Sequence, residues 1–244
     1  MQEFFKKYDL ELSDSELQKF EKFLSIFMEK NAQINLSAIR DEAGIIEKHF
    51  VDSIMLAALF ELQPSSQPSP LGEKEQAARM KIADMGTGGG FPGIPLAIVT
   101  PNAEFALIDS VAKKLKCVSE FAEQLELENV TTVNGRAEEI GQEIAYRERF
   151  DLVVSRATAY FPTLLEYTIP LLKVGGVLAA YKLTDKQELQ SIKKALKRLG
   201  AKILKVKNYT LAEQERSIIF IEKIEKTNKK YPRKVGIPLK EPIV

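Results

Sequence analysis

The stretch Lys81-Ile-Ala-Asp-Met-Gly-Thr-Gly-Gly-Gly-Phe-Pro-Gly93 constrains this chain more than any other. A short apolar strand breaks into a glycine-dense turn, and the apolar run over residues 94–99 behind it reads as a helix. Glycine lets a backbone approach a ligand closely. The first turn of a helix carries unpaired N–H groups and a partial positive charge. A strand that ends in glycines and feeds a helix is therefore a place to hold a ligand, and the other segments can be read for what they add to it.

Ahead of the turn, Ser13-Asp-Ser-Glu16 has the form of a capping box, in which serine and glutamate satisfy each other's backbone N–H groups. Leu17, Phe20, Phe23, Leu24, Phe27 and Met28 follow at helical spacing, and the spacing predicts a helix ending near Asn31. A second helix is expected over residues 41–62, with Ile45, Ile46, Phe50, Ile54, Leu56 and Leu59 apolar and with His49, Asp52 and Ser53 aboard. Residues 1–62 thus read as an N-terminal helical cap, and the proline- and serine-rich residues 63–72 as a linker. Strands are expected at 81–84, 105–108, 130–133, 151–154 and 176–181, each followed by a helical segment. That alternation implies a parallel sheet covered on both faces. Two final strands, 201–209 and 217–224, have no helix between them and read as an antiparallel hairpin. The expected fold is α/β, a doubly wound, mostly parallel seven-stranded sheet over residues 73–226 with an antiparallel C-terminal pair. Residues 227–244 form a basic tail.

Composition excludes several classes. The 244 residues are 28% charged, a globular rather than a disordered value. No apolar run approaches the roughly 20 residues needed to span a bilayer, and the N-terminus lacks a secretion signal. The single cysteine, Cys117, can form neither an internal disulfide nor a metal cluster. A cytoplasmic, metal-free monomer is expected. The net charge of +1 conceals an asymmetry: residues 182–240 hold 17 Lys and Arg against 6 Asp and Glu. That segment reads either as ordinary solvated faces or as a basic surface for a polyanion.

In a doubly wound sheet, ligands bind beyond the carboxyl ends of the strands at the switch point. Gly86-x-Gly88-x-Gly90 fits the loop that holds S-adenosyl-L-methionine. Gly88-x-Gly90-x-x-Gly93 fits the dinucleotide fingerprint equally, and a tight turn without a ligand would also need such glycines. Asp109 ends the second strand, where an acid can accept the ribose hydroxyls of a nucleoside or cap the next helix. Ala137 and Glu138 follow the third strand, where backbone groups could meet an adenine edge. Asp84 could hold an amino group or brace the loop. Strand four ends Ser155-Arg156-Ala157, and Arg156 could bind a carboxylate, a phosphate or a base edge, or be a surface cation. Lys182, at the end of strand five, is a weaker candidate of the same kind. Cys117 lies within a helix, poorly placed for a nucleophile, and no Asn/Asp-Pro-Pro-Tyr/Phe motif follows strand four. His49, the only histidine, fits packing better than catalysis, and Asp52 three residues on could bond to it.

Asn35-Leu36, His49-Phe-x-Asp52-Ser53, the run from Asp84 to Pro95, Leu107-Ile-Asp109-Ser110, Ser155-Arg156-Ala157 and Lys230-Tyr-Pro-Arg-Lys234 occur in that order. Together they resemble the bacterial 16S ribosomal RNA guanine-N7 methyltransferases, the glucose-inhibited division protein B family, over nearly the whole chain. The resemblance implies a class I, Rossmann-like methyltransferase fold with S-adenosyl-L-methionine as cofactor. It also implies 16S rRNA or the 30S subunit as partner. It carries cofactor-binding roles onto Gly86, Phe91, Ala137, Glu138 and Arg156, and the wider fold carries one onto Asp109. With these go Gly88 and Gly90 as walls of the methionine-side pocket, and Arg156 as the residue that orients the target. A longer linker at 63–72 is the main departure. Competing readings are a nicotinamide-dependent oxidoreductase, a non-catalytic RNA-binding module and a small-molecule methyltransferase.

Overall fold

The computed structural model describes residues 1–60, 79–156, 159–183 and 186–244; the expected linker at 63–72 lies outside them. The chain opens with α1 (Gln2–Lys6), α2 (Asp14–Ile34), α3 (Glu42–Ile45), a π-helical turn (Ile46–Val51) and α4 (Asp52–Leu59). The alternating part runs β1 (Lys81–Met85), α5 (Gly93–Val99), β2 (Glu104–Asp109), α6 (Ala112–Gln124), β3 (Val130–Asn134), α7 (Ala137–Ile140) and β4 (Phe150–Ser155). It continues with α8 (Phe161–Thr168), a 3₁₀ turn (Ile169–Leu171), β5 (Leu172–Leu183), α9 (Lys186–Ser191) and α10 (Lys193–Leu199). The strands β6 (Ala201–Leu211) and β7 (Gln214–Lys223) and the short α11 (Ile237–Lys240) complete it.

All seven strands join one sheet in the order β3-β2-β1-β4-β5-β7-β6. The first five pair in parallel, and β7 inserts antiparallel between β5 and β6. The chain reverses direction across the sheet between β1 and β4, so the switch point lies where the glycine turn leaves β1.

Period-two alternation divides the strand residues between two cores. Ile82, Phe105, Leu107, Leu152, Val154 and Phe220 face a core shared with Phe5, Phe20, Phe23, Phe27 and Phe50 of the N-terminal helices. Ala83, Ile108, Val153, Leu178, Ala180 and Ile221 face a second core under α8 and α10. The helical cap therefore shares its interior with one face of the sheet.

The Ser13–Glu16 capping box forms as the sequence implies. Helix α2 runs beyond Asn31 to Ile34 and stops at Asn35, whose φ of 58° lies in the left-handed region. Asn31 is buried: its amide accepts the Ser37 N–H at 2.8 Å and donates to Ile39 O at 2.9 Å, so a polar residue breaks the apolar pattern inside the helix. The expected helix over 41–62 is interrupted by the π-helical turn, and the helix expected after β5 is two short ones.

Candidate active site

The turn after β1 is built from backbone. Gly86, Gly88 and Gly90 have φ of 77°, 56° and 95°, a region that favours glycine. Gly86 and Thr87 donate their N–H groups to Ile108 O at 2.9 and 3.1 Å, which pins the turn to the end of β2. Asp109 completes the clamp: Oδ2 accepts the Gly88 N–H and Oδ1 the Val111 N–H, both at 2.8 Å. At Gly93 a Cβ would stand 2.2 Å from Leu107 Cδ2 and 2.8 Å from Asp84 Oδ2, so a side chain there would displace both where α5 starts against the sheet. Asp84 lies fully buried beneath the turn and accepts the Gly93 N–H through Oδ2 at 2.9 Å. Its other oxygen and the buried Thr87 Oγ1 make no hydrogen bond. Burial pushes the Asp84 carboxyl up to about 7, while the neighbouring Thr87 hydroxyl, the Gly93 N–H and the Arg156 charge pull it down.

The carboxyl ends of β1, β2 and β3 meet here. Asn134 donates to Asp109 O at 2.9 Å and Gly135 N–H to the same oxygen at 3.2 Å. Ala137 and Glu138 follow as the first turn of α7, whose N–H groups have no intrahelical acceptors. The Glu138 side chain is buried and points away from the glycine turn. Its Oε1 accepts the Gly236 N–H at 2.9 Å and the Tyr167 hydroxyl at 3.3 Å.

Arg156, at the end of β4, is folded under the cap. It donates to Lys48 O at 3.1 Å, Asp52 Oδ2 at 3.0 Å and His49 Nδ1 at 2.9 Å. Arginine only donates, so Nδ1 is the acceptor and the proton sits on Nε2, which donates to Ser37 Oγ at 2.6 Å. Burial, and then the Arg156 cation, push the His49 imidazole down to about 3, so it is neutral. Its ring stacks on Phe91 at 4.5 Å and 15°, and the Arg156 guanidinium lies 5.3 Å from the same ring. Phe91 is thus turned inward, and its backbone alone faces the turn's outer side.

Asp52 is the hub of this junction. Its carboxylate is 1% exposed and accepts from Arg156, from Arg216 at 3.1 Å and, through Oδ1, from the Tyr209 hydroxyl at 2.7 Å. His49 and Asp52 do not bond to each other as their spacing suggested; both bond Arg156. Arg216 and Tyr209 were not foreseen. They lie 164 and 157 residues from Asp52, yet pair directly across the β6–β7 hairpin. Lys182 donates to Ala159 O at 3.1 Å, and Cys117 is buried in α6.

A model of the family rRNA small subunit methyltransferase G (GidB) matches residues 16–219. The chain belongs to that family. Among curated relatives, a ribosomal RNA small subunit methyltransferase G of Brevibacillus brevis is 42% identical, covering 96% of this chain and 94% of its own length. One of Lactococcus lactis subsp. lactis is 41% identical, with 97% and 95% covered. A solved structure of NSun6 from Pyrococcus horikoshii with SFG superposes with a TM-score of 0.50 at 19% identity. It covers 59% of this chain and 48% of that one, a likeness of fold alone.

Family membership makes the protein a class I methyltransferase whose methyl donor is S-adenosyl-L-methionine. The crevice suits that molecule: positive-φ glycines let it approach the backbone, and two buried polar atoms beneath the turn, Asp84 Oδ1 and Thr87 Oγ1, lack partners. The structure brings Gly86, Gly88, Gly90, Asp109 and Ala137 together along the strand ends, and sets the Phe91, Glu138 and Arg156 side chains behind them.

The basic tail is not a loose arm. Arg147 donates to the carbonyls of Thr227 and Tyr231 at 2.9 and 2.6 Å, and Gln142 to those of Lys229 and Pro232. Arg233 pairs with the buried Glu166 at 2.7 Å, and Thr163 donates to Pro238 O. The segment is a strap across α7 and α8, with Lys229, Lys230, Lys234 and Lys240 left exposed. No helix among the described residues is long and apolar enough to cross a membrane.

Proposed function

We propose that this chain transfers a methyl group from S-adenosyl-L-methionine to N7 of a guanine in 16S small-subunit ribosomal RNA, acting in the cytoplasm as a single chain. Gly86, Gly88, Gly90 and the Phe91 backbone would flank the methionine portion, Asp109 the ribose, and the Ala137 and Glu138 backbone the adenine. Arg156 positions these groups from behind, by holding the Phe91 ring and tying β4 to the cap. The bound donor supplies an electrophilic methyl on its sulfonium.

The observation that carries the N7 assignment is the state of His49. The only histidine is neutral, acceptor to Arg156 and donor to Ser37, so it offers no base to a substrate. Guanine N7 already carries an in-plane lone pair, and its methylation needs alignment rather than proton removal. The exposed strap lysines supply phosphate contacts, which position an RNA without reading its sequence.

The test is transfer of labelled methyl to unmethylated 16S rRNA and to 30S subunits, followed by reduction and aniline cleavage, which cuts at 7-methylguanosine. A single N7 site is expected. Absence of transfer to both substrates, or a methyl on another atom, overturns the reading. Light scattering checks the single-chain state.

A further inference from the structure

Methylation at N7 sets a geometric demand that the cofactor crevice alone does not meet. The lone pair lies in the plane of the base, so that plane must be held edge-on to the methyl group. Enzymes that act on extruded bases fix the plane by stacking it on a ring.

The chain has 13 phenylalanines and 7 tyrosines. Among the described residues only one aromatic side chain is openly exposed: Tyr160, at 44%. Among the described residues its ring meets no other ring and its hydroxyl makes no hydrogen bond. Tyr160 immediately precedes α8, in the segment that follows β4, the strand across the switch point from the glycine turn. Its pedestal is fixed on both sides. Before it, Ala159 O accepts from Lys182 at the end of β5. After it, Phe161 is fully buried, and the Tyr160 carbonyl accepts the Leu164 N–H at 2.9 Å. A bare ring on a backbone anchored at Ala159 and at the start of α8, in the segment that follows β4, is available to a planar ligand.

We infer that Tyr160 is the stacking platform for the target guanine, holding the base plane while N7 is aligned with the methyl group. The inference rests on the RNA methyltransferase reading above. The hydroxyl is not required for the role; the ring is.

The experiment measures kcat and KM for methyl transfer to unmethylated 30S subunits with Tyr160→Leu and Tyr160→Phe, alongside S-adenosyl-L-methionine affinity by calorimetry. Base–aromatic stacking predicts that Tyr160→Leu lowers kcat/KM by about 5- to 150-fold, that Tyr160→Phe stays within about twofold of wild type, and that donor affinity is unchanged in both. A Leu variant with wild-type kcat/KM overturns the inference. So does a Phe variant as impaired as Leu, or a loss of donor affinity that accounts for the defect. Failure of the wild-type chain to methylate any RNA refutes the underlying reading instead, which separates the two.

Discussion

The two sides of the glycine turn are built on opposite plans. On the crevice side the polar groups come mainly from backbone, Asp109 is half-exposed, and two buried oxygens beneath the turn lack partners. On the cap side the polar groups are side chains that bond one another, Asp52 with Arg156, Arg216 and Tyr209, and His49 with Arg156 and Ser37, with Arg216 Nε the one buried atom among them left without a partner. Backbone groups at a turn leave room for a ligand to approach, whereas a side-chain network in low dielectric fixes position. Phe91 joins the two, its ring between His49 and Arg156 and its backbone in the turn. Residues that travel together as sequence motifs thus divide into those that line the crevice and those that hold the turn still.

The largest effect that division predicts is at Asp52. Asp52→Ala leaves Arg156 and Arg216, both mostly buried, without their common carboxylate. Breaking a buried ion pair from one side costs about 3–5 kcal/mol. Urea unfolding should show a loss of that size, with methyl transfer falling as the β4 end loosens. A loss below about 1 kcal/mol, the range of exposed pairs, would show that the junction is solvated and the comparison misdrawn.

Asp109 should respond in the reverse sense. Asp109→Ala removes the acceptor of the Gly88 and Val111 N–H groups at the rim, and with it the expected ribose contact. One charge-assisted hydrogen bond is worth about 1.5–3 kcal/mol, so calorimetry should find S-adenosyl-L-methionine bound roughly ten- to hundredfold more weakly. Global stability should change less than with Asp52→Ala. Unchanged donor affinity would remove Asp109 from the cofactor site and leave it a turn brace only.

These two residues also mark what was legible in the sequence. Strand–helix alternation and the helix-free final pair gave all seven strands, because both signals are local. Gly86, Gly88 and Gly90 were legible because the φ each adopts is one that favours glycine. The place of Asp109 beside the turn was legible because β2 lies next to β1 in a doubly wound sheet. The direction of Arg156 was not. Its partners lie 104 to 108 residues away in a cap whose packing no local pattern specifies. The His49–Asp52 bond suggested by helical spacing fails for the same reason, since a guanidinium from the sheet takes both acceptors. The anchors of the basic tail, mainly its own carbonyl groups and the Arg233–Glu166 pair, lie 67 to 90 residues from their partners and are not shown by composition.

The smallest effect is in the pH dependence of stability, where the two sides oppose each other. Asp84, on the crevice side, has its carboxyl raised from 3.8 to about 7. The folded state therefore binds more protons than the unfolded state between those values, and this contribution is lost as pH rises through them. His49, on the cap side, is lowered from 6.5 to about 3. Its contribution is present above 6.5 and lost as pH falls. The windows overlap with opposite sign, so the wild-type Tm should be nearly flat from pH 5 to 6.5. Each substitution then exposes the other group: Asp84→Asn should leave a Tm that falls on acidification, and His49→Gln one that falls as pH rises. Scanning calorimetry across that range reads both slopes. Parallel slopes in the two variants would overturn the opposite shifts assigned to the two groups.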